Sequence, residues 1–391
     1  MGADVGGLLV PGALRADGLL DDAALVRAML SVEVAWTRAL HETGGATAAQ
    51  AEAVAGAVAG WTPVLDPADV EDAGNPVLPL VTALRDRVAD PGAATVVHTG
   101  LTSQDVLDTA LQLLARAALG RIRADLGRTA AALARLAREH RSTPMAGRTL
   151  TQHAVPVTFG LTAAQWLAAI LDAAGRLDAV RREQPVQCGG AAGTLARAGA
   201  VVADPVATAA AFARQLGLRW PGLPWHTRRA PVTRLGDALT ETCDALGVFA
   251  ADVLTLGRPE IGEVAEGAVT GRGRSSAMPH KRNPVLGVLV NAAALQAPPL
   301  AAQLHLAATR AVDQRPDGAW HAEWPALRRL LELTVVAAAQ AAELAGGLRV
   351  NDDAMRRRAE TAGDPAESTG VSGSLVDEVL RRYEEGRDDD A

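Results

Sequence analysis

Aromatic residues are scarce in this chain of 391 residues, because Phe, Trp and Tyr together make up 3% of a sequence that is 49% apolar. A core with so few rings depends on aliphatic side chains, and here Ala, Leu and Val supply them. Ala and Leu are strong helix formers. The composition therefore predicts an all-α protein in which helices pack closely against one another.

Cysteine and excess positive charge are also lacking. Cys188 and Cys243 are the only cysteines, they form no CxxC pair, and a chain of this length needs no disulfide framework. The net charge of −7 argues against binding to nucleic acids or to anionic membranes. An acidic substrate remains compatible with this charge, because an anion site needs only local cations.

No targeting segment is recognisable. Residues 1–20 lack a basic start followed by an apolar signal core, and we expect no uncharged apolar stretch of membrane-spanning length. The histidines and carboxylates show no zinc-ligand spacing. The sequence thus predicts a soluble, cytoplasmic protein with no metal and no organic cofactor.

Helical periodicity dominates the chain. Residues 21–42 carry apolar side chains at helical spacing, with acidic residues at the start and a glycine pair after the end. Prolines break the region 46–97 into short helices. Longer helices are predicted over 104–139, 147–183, 232–257, 284–311 and 321–346. No segment alternates strictly enough to predict a strand.

Helices of this length without a sustained heptad favour a bundle over a two-stranded coiled coil. We therefore divide the chain into an N-terminal helical domain (1–97), a central long-helix bundle (98–346) and a C-terminal part (347–391). The last part is predicted to hold one amphipathic helix near residues 374–383 and a solvated acidic end at 384–391.

The most informative segment is GRGRSSAMPHKRNP at residues 271–284. Its glycines make the backbone permissive, so a mobile loop is predicted. The loop carries Ser275 and Ser276, then Lys281, and Asn283-Pro284 suits the N-cap and first position of the apolar helix that follows. A helix N-terminus beside a lysine predicts an anion site. A basic surface loop before a capped helix is the alternative.

A second segment, HTGLTSQDVLDT at residues 98–109, marks the start of a long helix. Thr102 or Ser103 can cap a helix that begins near Gln104, and Asp105 completes the pattern of a capping box. Spare hydroxyl and amide donors at this helix start can hold a carboxylate. The same pattern often serves only as a cap.

The third segment is GRTLTQHAVPVTFG at residues 147–160. Four polar residues fall within two helical turns, Arg148, Thr149, Gln152 and His153, and this spacing predicts a polar stripe along one helix of the bundle. Pro156 is expected to kink that helix. An ordinary polar helix start explains the pattern equally well.

Together the three segments resemble the signature regions of the fumarase/aspartase superfamily in order and separation, and SSAMPHKRNP is the specific element. The resemblance spans roughly residues 20–345. It implies a three-domain, all-α subunit with a long central five-helix bundle. It also implies a homotetramer with a twenty-helix core, whose active sites each take one signature region from three different subunits.

Other segments resemble the 3-carboxy-cis,cis-muconate cycloisomerase branch of that superfamily, among them AGNPVLPLV at 73–81, CGGAAGTLA at 188–196 and GAWHAEWPALRRLL at 318–331. Lyases that expel an amine or water usually carry His at the third position of the GRT element, where general-acid help is worth about 10²–10⁴-fold. Leu150 stands there, and a carboxylate leaving group needs no such proton. The resemblance therefore implies closure of 3-carboxy-cis,cis-muconate to 4-carboxymuconolactone in aromatic-compound degradation.

The resemblance also implies roles for site residues. Ser275 delivers a proton to the α-carbon of an aci-carboxylate intermediate, and Lys281 and Asn283 stabilise its oxygens. A small polycarboxylate substrate is held by the remaining candidates, which are Thr102, Ser103, Arg148, Thr149, Gln152, His98, His153 and Arg315. Structural roles are the alternative for the two histidines and Arg315, and Ser276 is the alternative to Ser275.

The chain departs from the superfamily pattern at two places. Val288 stands where many members of the superfamily carry Glu. The cycloisomerase branch also tends to lack this Glu. After Val350 only residues 351–391 remain, so the third domain is predicted to be shortened to a stub. An amine-eliminating lyase of the adenylosuccinate type and a noncatalytic helical scaffold are the rival functions.

Overall fold

A computed structural model of the chain describes residues 7–362 and 369–388. A 3-10 helix (Ala13–Ala16) is followed by α1 (Asp22–Glu42), α2 (Ala48–Val58), α3 (Pro67–Ala73), α4 (Val77–Arg87), α5 (Pro91–Ala94) and α6 (Ser103–Glu139). The chain continues through strands β1 (Pro144–Thr149) and β2 (Gln152–Thr158) to α7 (Phe159–Arg182), α8 (Ala196–Gly199), α9 (Pro205–Leu216), α10 (Ala230–Leu256) and β3 (Val264–Ala265). It ends with α11 (Val285–Ala308), α12 (Gly318–Gly347), β4 (Arg349–Val350), α13 (Asp352–Ala362) and α14 (Ser372–Asp388).

Five long helices, α6, α7, α10, α11 and α12, form the central bundle. Helix α11 packs between α10 and α12, while α6 packs against α7 and α12. The fully buried positions are mostly Ala, Leu and Val. The few rings meet edge to face, as Phe159, Trp166 and Phe249 do at centroid distances of 5.8 and 5.2 Å. The predicted all-α bundle with an aliphatic core is confirmed.

The boundaries of the amphipathic helices follow local signals. Helix α1 begins where the side chain of Asp21 accepts the amide of Ala24 at 2.7 Å, which satisfies an otherwise unpaired helix-start donor. Pro67 and Pro205 stand at the first turn of α3 and α9, where a missing N–H costs nothing. The predicted helices over 104–139 and 232–257 are confirmed within two residues.

Residues 144–158 correct the prediction of a helix over 147–183. They form an antiparallel hairpin in which Arg148 pairs with His153 and Thr149 with Gln152, and α7 begins only at Phe159. Pro156 lies in β2, where it pairs with Ala146 next to a bulge, so it kinks no helix. A hairpin avoids placing Pro156 in a helix interior, where it would remove a hydrogen bond and clash with the preceding turn. The pairing of β3 with β4 is a second ribbon that the sequence did not predict.

The carboxyl-terminal part holds more helix than predicted. Helix α13 packs on β1, and α14 lies along α7 and α6. Arg141 binds Asp377 of α14 through two hydrogen bonds of 2.8 and 2.6 Å, and Arg382 binds Asp172 at 2.6 Å. The predicted acidic end at 384–391 is helical as far as Asp388, and residues 389–391 lie outside the described part.

Helices α11 and α12 correct the expectation about apolar stretches, because both are long and apolar enough to span a bilayer. Helix α12 is mostly buried within the bundle, as expected for a core helix of a soluble protein. Only a third of the apolar α11 window is buried, and side chains such as Leu295 and Leu306 are about 70% exposed. An exposed apolar face of this kind typically marks a site of interaction with another molecule.

Candidate active site

The predicted site residues fall at two opposite ends of the bundle. Helix α6 has 37 residues and is therefore roughly 55 Å long. His98, Thr102 and Ser103 lie at its amino end, whereas the β1–β2 hairpin follows its carboxyl end. One subunit therefore cannot bring the Thr102 segment and the hairpin into a single site.

The other predicted residues can be assigned to these two ends by contact. Arg148 of the hairpin binds Glu263, which directly precedes β3 and the serine-bearing loop, so both lie at the carboxyl end of α6. Arg315 lies in the turn before α12, whose Trp320 donates its indole N–H to Asp108 of α6 at 3.0 Å. Arg315 therefore belongs to the amino end.

At the amino end, Glu33 holds His98 in place. This fully buried carboxylate accepts the backbone N–H of His98 at 2.9 Å and contacts its Nδ1 at 2.7 Å. Burial alone lowers the pKa of His98, but the charge of Glu33 and its hydrogen bond outweigh burial, so the pKa of His98 is raised. His98 has φ of 61°, a left-handed conformation that Glu33 helps to hold. The imidazole is partly exposed, with 18% of its side chain accessible.

A second buried carboxylate, Asp105, organises the start of α6. Thr102 is the N-cap, and the carboxylate of Asp105 accepts its backbone N–H at 3.0 Å, as the predicted capping box requires. Asp105 also accepts the N–H of Gly190 at 2.8 Å and contacts Nε2 of His226 at 2.8 Å. Asp105 therefore caps the helix and also connects it to two segments that are distant in sequence. Ser103 is partly exposed, and its hydroxyl makes no hydrogen bond to another described residue.

A third ionic cluster, which no sequence motif predicted, lies behind this segment. Arg229 binds Asp108 at 2.7 Å and Glu323 at 2.5 Å, all three almost fully buried, and its guanidinium stacks over Trp225 at 4.8 Å. Burial alone lowers the pKa of Arg229, but the two carboxylates outweigh it and raise that pKa. The same cluster has one cation for two carboxylates, and burial raises the pKa of Glu323. The only sequence signal was that Asp108 and Glu323 are charged residues on predicted helices, whereas Arg229 precedes the predicted helix over 232–257.

At the carboxyl end of α6, the hairpin presents its signature residues to solvent. Leu150 is 96% exposed, and Leu150 and Thr151 form the two-residue turn with φ of 49° and 70°. Such a turn favours Asn-Gly, so a leucine and a β-branched threonine are strained there. Thr149 and Gln152 are exposed beside the turn. Strained backbone of this kind concentrates at functional sites.

The polar residues at the base of the hairpin have partners within the subunit. Arg148 makes a bidentate pair with the fully buried Glu263 at 2.8 and 3.0 Å. His153 lies 3.2 Å from the hydroxyl of Thr361 on α13. The predicted helical stripe of four polar residues is therefore wrong, because residues on a hairpin alternate between its two faces.

The serine-bearing loop, residues 267–284, is tied at its base and exposed at its tip. Gly273 has φ of 68°, and its carbonyl accepts the backbone and side-chain N–H groups of Asn283 at 2.8 and 3.2 Å. A side chain at Gly273 would meet the carbonyl oxygen of Asn283 at 2.4 Å, so this crossing requires glycine. Lys281 is exposed near the tip, and no ion pair is recorded for it within the described residues.

Within the loop tip, the two serines are not equivalent. The Oγ of Ser275 accepts backbone N–H groups from Met278 at 3.1 Å and Ala277 at 3.4 Å. These donors stabilise negative charge on that oxygen. Ser276 is exposed, and no hydrogen bond of its hydroxyl is recorded in the described part of the chain.

The start of α11 corrects one expectation. Pro284 is the N-cap position, and the side chain of Asn283 does not cap the helix. Instead Glu266 accepts the N–H groups of Leu286 at 3.0 Å and Gly287 at 3.3 Å. The helix-start amides that were predicted to bind a substrate anion are therefore occupied by a carboxylate of the same chain.

No group of three or more His, Cys, Asp and Glu side chains is placed to hold a metal ion among residues 7–362 and 369–388. The chemistry available at the exposed segments is instead that of a serine oxygen, an ammonium, amides and hydroxyls.

Known proteins resemble this chain in sequence and in fold. Residues 16–298 match the lyase family. Nitrosuccinate lyase from Streptomyces davaonensis is 47% identical, over 92% of this chain and 78% of its own length. A 3-carboxy-cis,cis-muconate cycloisomerase from Pseudomonas aeruginosa is 42% identical, over 87% of this chain and 74% of its own. The crystal structure of 3-carboxy-cis,cis-muconate lactonizing enzyme from Pseudomonas putida matches with a TM-score of 0.83 and 33% identity, covering 98% of this chain and 88% of that chain.

Proposed function

The chain is an enzyme of the fumarase/aspartase superfamily, and we propose that it eliminates nitrite from nitrosuccinate to form fumarate. The environment of Ser275 carries this proposal. Two backbone N–H groups point at its Oγ, in a glycine-flanked loop that also bears Lys281. A serine oxygen that is stabilised as an anion can remove a proton from a carbon next to a carboxylate.

In the proposed step, Ser275 removes a proton from the methylene carbon of the substrate. The electron pair is first held by the neighbouring carboxylate as an aci-carboxylate. It then forms the carbon–carbon double bond while the carbon–nitrogen bond breaks, and nitrite leaves with the bonding pair. Lys281 and Asn283 stabilise the aci-carboxylate, which is where negative charge builds up.

Leu150 supports the choice of leaving group. Its side chain has no proton to donate, at the position where many relatives that expel an amine or water carry His. Nitrite is the anion of a moderately strong acid and leaves without a proton. The 47% identity to nitrosuccinate lyase favours the same choice.

Lactonisation of 3-carboxy-cis,cis-muconate is the second candidate, supported by the cycloisomerase relatives and the similarity in fold. A carboxylate of the substrate would add to the double bond, and Ser275 would protonate the α-carbon of the resulting aci-carboxylate. Leu150 is equally compatible with this reaction, because the group that departs in the reverse direction is a carboxylate. This activity would place the enzyme in aromatic-compound degradation.

We further propose that the active site is shared between subunits of a homotetramer. The Thr102 segment and the serine-bearing loop lie at opposite ends of long helices, so antiparallel subunits would bring one of each together. The exposed apolar face of α11, which includes Val288, Leu295 and Leu306, supports such an assembly. Thr102, Ser103, Thr149 and Gln152 would then hold the substrate carboxylates by hydrogen bonds.

Purified protein should be supplied separately with nitrosuccinate, 3-carboxy-cis,cis-muconate and adenylosuccinate. We expect nitrite and fumarate to appear in equal amounts from nitrosuccinate, measured by colorimetry and ultraviolet absorbance. Loss of muconate absorbance without nitrite release would support the second candidate. Fumarate release from adenylosuccinate would instead identify an amine-eliminating lyase.

The variant Ser275→Ala should abolish turnover and retain the helical circular-dichroism spectrum, whereas Ser276→Ala should remain active. Equal activity of Ser275→Ala and wild type would refute the role of Ser275. Size-exclusion chromatography with light scattering tests the assembly, and a monomer with full activity would refute the shared site.

A further inference from the structure

We propose that the buried Asp105–His226 pair is a positioning dyad that sets the distance between the Thr102–Ser103 segment and the glycine-rich loop 188–194. The inference deepens the proposed function and rests on it, because it assigns this dyad the task of shaping the part of the site that holds a substrate carboxylate. Neither residue is placed in contact with the reacting atoms.

The carboxylate of Asp105 joins three segments that are distant in sequence. One oxygen accepts the N–H of Thr102 and also the N–H of Gly190, which lies 85 positions after Asp105. The other oxygen binds Nε2 of His226, which is 121 positions away. Asp105 is fully buried, so these three donors replace the water that would otherwise solvate its charge.

The glycines of the loop allow this close approach. A side chain at Gly189 would lie 2.8 Å from the ring of His226, and one at Gly190, whose φ is 69°, would lie 3.0 Å from the carbonyl of Gly100. The loop therefore lies directly on the dyad and on the signature segment. Any change in the position of the Asp105 carboxylate moves both neighbours together.

The ring nitrogens of His226 make no hydrogen bond to a described residue other than Asp105. Its side chain is 3% exposed, and Nδ1 has no hydrogen-bond partner among the described residues. The ring thus makes one hydrogen bond, to Asp105, which assigns the proton to Nε2 in the neutral form. A leucine would fill the space of a buried ring without leaving a nitrogen unpaired, so a histidine at this position points to a requirement for the Nε2–H donor.

The test uses variants that separate donation from packing. His226→Leu removes the donor and leaves an oxygen of Asp105 under-coordinated. His226→Gln keeps an N–H at nearly the same position and should restore function. Asp125→Asn is the matched control, because Asp125 is also fully buried on α6 but pairs only with the nearby Arg121 and Arg128.

We expect His226→Leu to raise KM for the substrate that wild type turns over by about tenfold or more, the size expected for one hydrogen bond to a charged group, with a smaller change in kcat. His226→Gln should stay within about threefold of wild type. Asp125→Asn should lower the melting temperature without changing KM. Unchanged KM in His226→Leu, or an equal rise in Asp125→Asn, would overturn the proposal.

Hydrogen exchange gives a readout that needs no activity. His226→Leu should speed exchange in peptides covering residues 98–105 and 187–195, His226→Gln should not, and Asp125→Asn should leave both peptides protected. If wild type turns over neither candidate substrate, the proposed function fails, and calorimetric binding of fumarate replaces KM as the measure. Unaltered exchange in both peptides of His226→Leu would refute the dyad whatever the substrate proves to be.

Discussion

Replacing Lys281 by cysteine tests the charge that the proposed mechanism needs most. Lys281 is the only lysine among 391 residues, and every other strongly basic side chain is an arginine. The variant Lys281→Cys therefore removes the one ε-ammonium of the chain. Because Lys281 lies in an exposed loop, its loss should leave folding unaffected.

The size of the effect follows from the charge that builds up on the substrate. An ammonium about 4 Å from the aci-carboxylate contributes about 4 kcal/mol at an effective dielectric constant of about 20, which corresponds to roughly 10³-fold in rate. Losses of about 10²–10³-fold are typical when one group that stabilises such an anion is removed. We therefore expect kcat of Lys281→Cys to fall by about two to three orders of magnitude.

Chemical rescue then separates charge from shape. Alkylation of the new thiol with 2-bromoethylamine rebuilds an ammonium on a side chain in which sulfur replaces one methylene group. The native Cys188 and Cys243 are fully buried, and burial raises the pKa of Cys243 to about 12 and that of Cys188 well above its usual value. They should therefore resist alkylation, and mass spectrometry should show a single adduct.

The aminoethylated protein should recover most of the lost kcat, and a neutral ethyl adduct at the same position should recover none. The assay is initial-rate measurement on whichever candidate substrate wild type turns over. If the ethyl adduct recovers as much activity as the aminoethyl adduct, or if Lys281→Cys keeps full activity, the assigned electrostatic role of Lys281 is refuted.

Three further predictions concern the frame of the site. Arg229→Met should lower the free energy of unfolding by about 3–5 kcal/mol, measured in urea, because it leaves two buried carboxylates without their cation; a change below about 1 kcal/mol would contradict this. Glu33 raises the pKa of His98. The ion pair between the two residues should therefore stabilise the folded state fully below about pH 6.5, and this stabilisation should be lost as the pH rises through the higher folded-state pKa of His98. The difference in melting temperature between wild type and Glu33→Gln should therefore shrink as the pH rises. A difference that grows with pH would contradict this prediction. Replacing Leu150-Thr151 by Asn-Gly should raise stability by about 1–2 kcal/mol in the same urea assay, because both turn residues have positive φ, and unchanged stability would argue against strain in this turn.

Local sequence patterns predicted the long helices well and the hairpin poorly. The helix over 104–139 was recognisable because an apolar stripe and a capping signal lie within a few residues of each other, and the helix over 232–257 because of its apolar stripe. Residues 147–158 also have polar and apolar residues at helical spacing, yet they form a strand pair. The pairing of Arg148 with His153 across a strained turn competes with the helix, and local spacing does not reveal the competition.

The candidate site, like the fold, was predicted only in part from local sequence. The GRGRSSAMPHKRNP segment identified a glycine-hinged loop with Ser275 and Lys281, since each feature depends on neighbouring residues alone. The amide donors at Ser275 also come from residues only two and three positions away, but their direction depends on how the loop folds. The cap of α11 comes from Glu266, twenty positions before the Leu286 amide that it accepts, and it takes the role that was predicted for Asn283.

The amino-acid sequence alone determines where most of the long helices of this protein lie, that its core is aliphatic, and which loop carries Ser275 and the single lysine. These properties arise from backbone propensity and from side chains a few positions apart. Folding in three dimensions determines which carboxylates are buried and what they bind, as Asp105 does with His226 and Arg148 with Glu263. Those pairs join residues more than 100 positions apart, and a buried charge selects its partner by proximity in space, which the spacing of residues along the chain does not reveal.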